Sequence, residues 1–118
     1  MRYSQVEKVF QEEAVGGTST VTSDPVYIAP FSRFGVAYQA TSESGTPDLR
    51  IYYELSFEKT AGFAVPDGAS DINSSLTDEN SHVASLNLEP ATYVRFVVEG
   101  QGTNPSDTKI TLSLFMQD

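Results

Sequence analysis

The chain has 118 residues, 39% hydrophobic and 11% aromatic, with no Cys or Trp, and seven Lys+Arg against sixteen Asp+Glu leave a net charge of −9. That length suits one domain burying roughly 65% of its unfolded surface without covalent staples, while zero Cys removes disulfides, thiolate catalysis, zinc–thiolate centres and iron–sulfur clusters together. The acidic balance argues against nucleic acid as a partner, no apolar run approaches the roughly 18 residues of a membrane helix, and Met-Arg-Tyr-Ser does not open a secretory signal.

Residues 1–15 carry two signals. Ser4 and Glu7 form a capping-box pattern, with Tyr3, Val6 and Phe10 on one helical face. The β-rich sequence that follows favours the other reading, an N-terminal arm or edge strand. Thr18 to Thr22 and Val26 to Ile28 are short strand pieces separated by Asp24-Pro25, where proline removes a ladder donor. Phe34 to Ala40 alternates, with Phe34, Val36, Tyr38 and Ala40 inward. Ser44-Gly45-Thr46-Pro47-Asp48 then reads as a hairpin connection into Asp48 to Phe57, the clearest strand. There Leu49, Ile51, Tyr53, Leu55 and Phe57 take one face, a period of two that a helix cannot use.

Val65-Pro66-Asp67-Gly68 is a turn, since proline presets φ and glycine accepts a positive one. Residues 67–81 form a polar loop pinned by Ile72 and Leu76. His82 to Leu88 alternates weakly, with Val83, Leu86 and Leu88 as its apolar positions. Thr92 to Glu99 turns Val94, Phe96 and Val98 inward and Tyr93, Arg95, Val97 and Glu99 outward. Residues 100–107 read as a second hairpin loop, so this strand should pair with the last one, Thr108 to Met116, in which Ile110, Leu112, Leu114 and Met116 face inward. Seven or eight such strands predict an all-β, antiparallel, jelly-roll-like β-sandwich over residues 16–118, ahead of a barrel.

Candidate chemistry is sparse. The acidic stretch Asp71, Asn73, Ser75 fails as a calcium loop, because the sixth and twelfth positions hold Leu76 and His82 in place of Gly and Glu. His82, the single histidine, has no Gly-x-Ser-x-Gly elbow to serve. Gly100-Gln101-Gly102 lacks the following helix of a phosphate cradle. Asn73-Ser74-Ser75 matches a glycosylation sequon. The expectation is therefore no catalytic residue, no metal and no cofactor. Tyr52, Tyr93 and Phe115 fall on outward faces. They can form a sugar-binding platform, be covered by the arm or a second subunit, or be ordinary exposed aromatics.

A resemblance runs along the whole order of segments: Val9-Phe10, Ala14-Val15-Gly16-Gly17, the Thr/Ser-rich Thr18–Asp24, Phe34 to Thr41, Leu49 to Glu54, Val65-Pro66-Asp67, Ala91 to Phe96, and Asn104 to Thr108 leading into the final strand. In this the chain resembles small virion structural proteins of tailed bacteriophages. The resemblance implies a non-enzymatic decoration (cement) protein of the phage head, or a neck or tail accessory protein. It implies virion localisation, the major capsid protein or other virion proteins as partners, and a homo-oligomer, a trimer by preference. Tyr3, Val6, Phe10, Tyr52, Tyr93 and Phe115 are the expected subunit or capsid contacts. The alternatives are a carbohydrate-binding or adhesin-like sandwich and a hydrolase with an unrecognised carboxylate pair.

Overall fold

The computed structural model describes residues 4–88 and 90–118. Its elements are β1 (Ser4–Ala14), β2 (Thr20–Thr22), β3 (Val26–Tyr27), β4 (Arg33–Thr41), β5 (Leu49–Ser56), β6 (Asn73–Leu76), β7 (His82–Leu86), β8 (Tyr93–Gly100) and β9 (Lys109–Gln117). No helix is present among these residues, so none is long and apolar enough to cross a membrane. Two antiparallel sheets stack. The first, sheet A, runs β1-β9-β4-β7; the second, sheet B, runs β2-β8-β5-β6, with β3 also on β8. Counting β2 and β3 as one broken strand, the order is that of a jelly roll, in which the chain passes back and forth between the two layers.

Period-two alternation supplies the core. Phe34, Val36, Tyr38 and Ala40 of β4 meet Ile110, Leu112, Leu114 and Met116 of β9 within sheet A, and Leu49, Ile51 and Tyr53 of β5 with Val94, Phe96 and Val98 of β8 face them from sheet B. These side chains are apolar on one face only, and stacking the two faces removes both from water.

Residues 4–14 take the extended reading, as an edge strand, because β9 offers them a ladder from Ser4↔Gln117 to Ala14↔Lys109. Other expectations change at the strand ends. Phe57 does not join the inward row and is 70% exposed. After Ser56 the chain folds back, Leu55 and Ala64 exchanging backbone bonds of 2.9 and 3.1 Å, so the alternation ends one residue early. The polar loop contains a strand, β6, whose last residue, Leu76, is buried as expected. Val83 points outward and is 80% exposed. Register decides this: His82, Ala84 and Leu86 lie opposite the inward Tyr38, Val36 and Phe34, which leaves Val83 beside the outward Ala37.

Neither hairpin forms. β4 and β5 belong to different sheets, as do β8 and β9, so the segments 42–48 and 101–108 cross the sandwich from layer to layer. The second crossing is fixed by Asn104, which is buried and fully satisfied. Its Nδ2 donates to the Val15 and Gly17 carbonyls (2.8 and 2.9 Å), and its Oδ1 accepts from the Asp48 amide and the Thr108 hydroxyl (3.1 and 2.9 Å). Gly100 lies so close that a Cβ there would stand 1.7 Å from the Gly17 carbonyl oxygen. The break at Asp24-Pro25 is bridged by Ser23. Its amide donates to the Phe96 carbonyl and its hydroxyl accepts from the Phe96 amide, both at 2.9 Å, so β8 keeps its ladder where proline interrupts the neighbour.

Candidate functional site

The outer faces of the two sheets are built differently. On sheet B the register sets Arg50 opposite Glu99, Tyr52 opposite Val97 and Glu54 opposite Arg95. Arg50 bonds both oxygens of Asp71 (2.8 and 3.2 Å) and reaches Glu99 (3.2 Å), with its guanidinium 4.4 Å above the Tyr52 ring. The Tyr52 hydroxyl donates to Glu99 at 3.1 Å. Burial first, and Glu99 second, push the Tyr52 phenol above its ordinary range; the bond to Asp71 chiefly raises Arg50. Arg95 pairs with Glu54 at 2.7 Å and covers Phe63, while Tyr93 leans on Tyr27 with centroids 5.5 Å apart. Each ion pair is partly solvated and contributes at most about 1 kcal/mol. Together they occupy this face with contacts from its own chain.

The outer face of sheet A is built otherwise. One row reads Val6, Phe115, Gly35, Ser85 from edge to edge, and the next reads Lys8, Ser113, Ala37, Val83. Glycine, alanine and serine make a low floor, from which Phe115 (43% exposed), Val6 (54%) and Val83 stand out. Arg33 borders the floor above Gly35, and the trough between Val6, Phe115 and Gly35 is open. A Cβ on Gly35 would meet only the Ala84 carbonyl, at 3.5 Å, so this glycine answers no steric demand and leaves one side of Phe115 uncovered.

Of the expected contact residues, the structure brings together Val6 and Phe115 alone. Tyr52 and Tyr93 lie on the opposite flank, half-buried among sheet B's charges. Phe10 is a correction: it is 4% exposed and packs inside the core, because the bulge between Lys8 and Phe10 turns its side chain inward opposite Leu112. Tyr3 lies outside the described residues. Val83 was missed as a surface residue, since its strand's alternation is too weak to fix parity without the partner strand.

At the other end of sheet A, acids serve the turn after β4. Asp107 accepts from the Ser42 and Ser44 hydroxyls (2.8 and 2.7 Å) and from the Glu43 and Ser44 amides (both 3.1 Å), and Glu79 accepts from the Ser42 amide (2.8 Å). His82 stacks on Tyr38, rings 5.2 Å apart and 9° from parallel, with Nε2 2.8 Å from Asp78. Among the described residues no three His, Cys, Asp or Glu side chains group as metal ligands.

The Ser44 and Ser42 hydroxyls hold the Asp107 carboxyl below its ordinary 3.8, with the Glu43 amide adding to them. A group whose folded value is depressed contributes stability that is whole above its unfolded value and lost as pH falls through the folded one. The difference in urea midpoint between wild type and Asp107→Asn is therefore expected to be widest at neutral pH and to shrink below about pH 4.

No protein-family model matches the sequence, and no curated protein matches it either. Solved structures do. The SPBc2 prophage-derived protein YomS is similar over 100% of this chain and 96% of its own, with a TM-score of 0.67 and 10% identity. The VP2 subviral particle of infectious bursal disease virus is similar over 98% of this chain (TM-score 0.57, 11% identity), and the chain spans 32% of that one. A Bacillus endospore-appendage protein, of a family described as disulfide-linked pili, is similar over 98% of this chain and 88% of its own (TM-score 0.50, 12% identity). At such identities what is shared is the fold.

Proposed function

We propose that this protein is a non-catalytic structural component of a virus particle, a decoration protein that binds the outside of a phage head and works as a homo-oligomer. The observation that carries the reading is the contrast between the two outer faces. Sheet B's face is internally paired, while sheet A offers a low floor of Gly35, Ala37, Ser85 and Ser113, bordered by Lys8 and Arg33, with Val6, Phe115 and Val83 exposed on it. Such a face suits docking on a repeating protein surface. The whole-chain likeness of fold to a prophage-derived protein supports the same direction, and a net charge of −9 suits a protein held at high local concentration. The outward aromatics are split between opposite flanks, so no single platform of rings favours the sugar-binding alternative.

The test is to purify particles from cells producing this chain on a density gradient and to quantify it against the major capsid protein. A fixed stoichiometric ratio in the particle band is expected; a chain that remains wholly at the top of the gradient overturns the reading. The double substitution Val6→Asp with Phe115→Asp is expected to abolish incorporation. The two positions are cross-strand partners and about half exposed, so the paired carboxylates are expected to lower the unfolding midpoint as well. Val6→Thr with Phe115→Thr, which keeps strand propensity and adds no charge, is expected to lose incorporation with the fold retained.

A further inference from the structure

The edge of a sheet presents a row of unpaired N–H and C=O groups, and folded chains guard such rows with bulges, charges, proline or brevity. This sandwich has four edges, and three are guarded. β1 slips register twice, holds Glu12 in the left-handed region (φ 48°), and is lined with Glu7, Lys8, Glu12 and Glu13. The β2–β3 edge is broken at Asp24-Pro25, and β6 is four residues long with a register shift against β5. β7 has none of these devices. It pairs with β4 without a slip, its sequence His-Val-Ala-Ser-Leu contains no acid, Lys, Arg, Pro or Gly, and its second residue, Val83, is the most exposed large apolar side chain among the described residues. Among the described residues, no backbone hydrogen bond from outside β4 reaches it.

We infer that two copies of this chain pair through β7, antiparallel and edge to edge, about a two-fold axis at Ala84. The open main-chain row calls for an extended strand, and β7 is complementary to itself. In this register His82 lies opposite Leu86, Val83 opposite Ser85 and Ala84 opposite its own copy. The two Val83 side chains become diagonal neighbours, within reach of each other at about 7–8 Å between backbones.

Charge selects the same place. Copies carrying −9 each repel, so they meet most cheaply where carboxylates are absent. Beside β7 the outer face offers Gly35, Ala37 and Arg33. Acids flank it in sequence at both ends, Asp78 and Glu79 before His82 and Glu89 after Leu86, and Asp78 and Glu79 are already bound to His82 and the Ser42 amide. Antiparallel pairing sets the two 78–79 loops at opposite ends of the joined strands, so they do not face each other. The axis stands perpendicular to the sheet, and the joined eight-stranded sheet therefore presents both Val6–Phe115 troughs on one side. A two-fold contact closes at two copies, which differs from the trimer that the sequence resemblance implied. It stands independently of the virion reading, since it is measured on the purified chain alone.

Mass in solution tests it, by sedimentation equilibrium from micromolar to millimolar concentration. The wild type is expected to rise from 12.8 kDa toward twice that value. Val83→Lys should stay monomeric with an unchanged unfolding midpoint, and Phe57→Lys, a control on the next most exposed large apolar residue among those described, in the β5–β6 loop, should dimerise as the wild type does. The chain has no cysteine of its own, so an equimolar mixture of Val83→Cys and Ser85→Cys is expected to form a disulfide dimer faster on mild oxidation than either variant alone. A monomer at every concentration, a closed ring of three or more, a dimer indifferent to Val83→Lys, or cross-linking no faster in the mixture overturns the inference.

Discussion

Replacing Asn104 by Ala is expected to destabilise the protein by about 3 kcal/mol or more, read as a lower urea midpoint at an unchanged slope. The side chain makes four hydrogen bonds at a buried site, and alanine leaves two carbonyls, an amide and a hydroxyl to find other partners. A buried group that loses its partner costs its full desolvation, which is why one truncation here outweighs any surface ion pair. Asn104→Asp separates donor from acceptor. Aspartate still accepts from Asp48 and Thr108, but it turns a carboxylate oxygen toward the Val15 and Gly17 carbonyls. It should be at least as damaging as alanine at neutral pH and should recover in part on acidification, when the carboxyl regains a donor.

Gly100→Ala is expected to cost a similar amount, about 3 kcal/mol or above, by a steric route. The added methyl would stand 1.7 Å from the Gly17 carbonyl oxygen and 2.9 Å from its carbon, so backbone must move against backbone. Gly102→Ala, two residues away in the same crossing, meets nothing within 4 Å and is the control. It should leave stability within about 0.5 kcal/mol of wild type. Thermal melts of the three proteins side by side decide the matter. A Gly100→Ala variant that melts with Gly102→Ala would mean that the 15–17 segment yields freely, and that Asn104 rather than close approach fixes the crossing.

What the sequence made legible follows from how much of each strand's environment is local. β4, β5, β8 and β9 each alternate between one fully buried row and a less buried one, so alternation alone identified Val36, Ile51, Phe96 and Leu112 as core, although on β8 the outward Val97 is itself covered, at 3% exposure. Strand partnership is not local. Loops 42–48 and 101–108 have the length and turn residues of hairpins, and nothing in them tells a connection within one sheet from a crossing between two. The same limit governs parity: Val83 and Phe10 take their directions from register with β4 and from a bulge against β9. β6, reading Asn-Ser-Ser-Leu, has no strand-like composition and exists because β5 offers it an edge. Of the candidate surface, Val6 and Phe115 were recognisable as outward apolar residues, but that they are neighbours is a fact of β1–β9 pairing.

That pairing has a consequence for how the chain is made. Ser4 finds its partner in Gln117, and β4 depends on the same strand along its whole length, from Arg33↔Gln117 to Thr41↔Lys109. β9 is the last of these strands to be synthesised, so β1 waits for roughly a hundred residues of translation, about 5–20 s at ordinary rates, before its ladder is open to it. Folding that closes such long loops is slow, on the millisecond-to-second scale, and leaves unpaired strands exposed meanwhile. The charges and bulges of β1 then act earlier than in the finished sandwich. They keep a nascent strand carrying Val6, Val9 and Phe10 from pairing with its neighbours on the same message while its own partner is still being made.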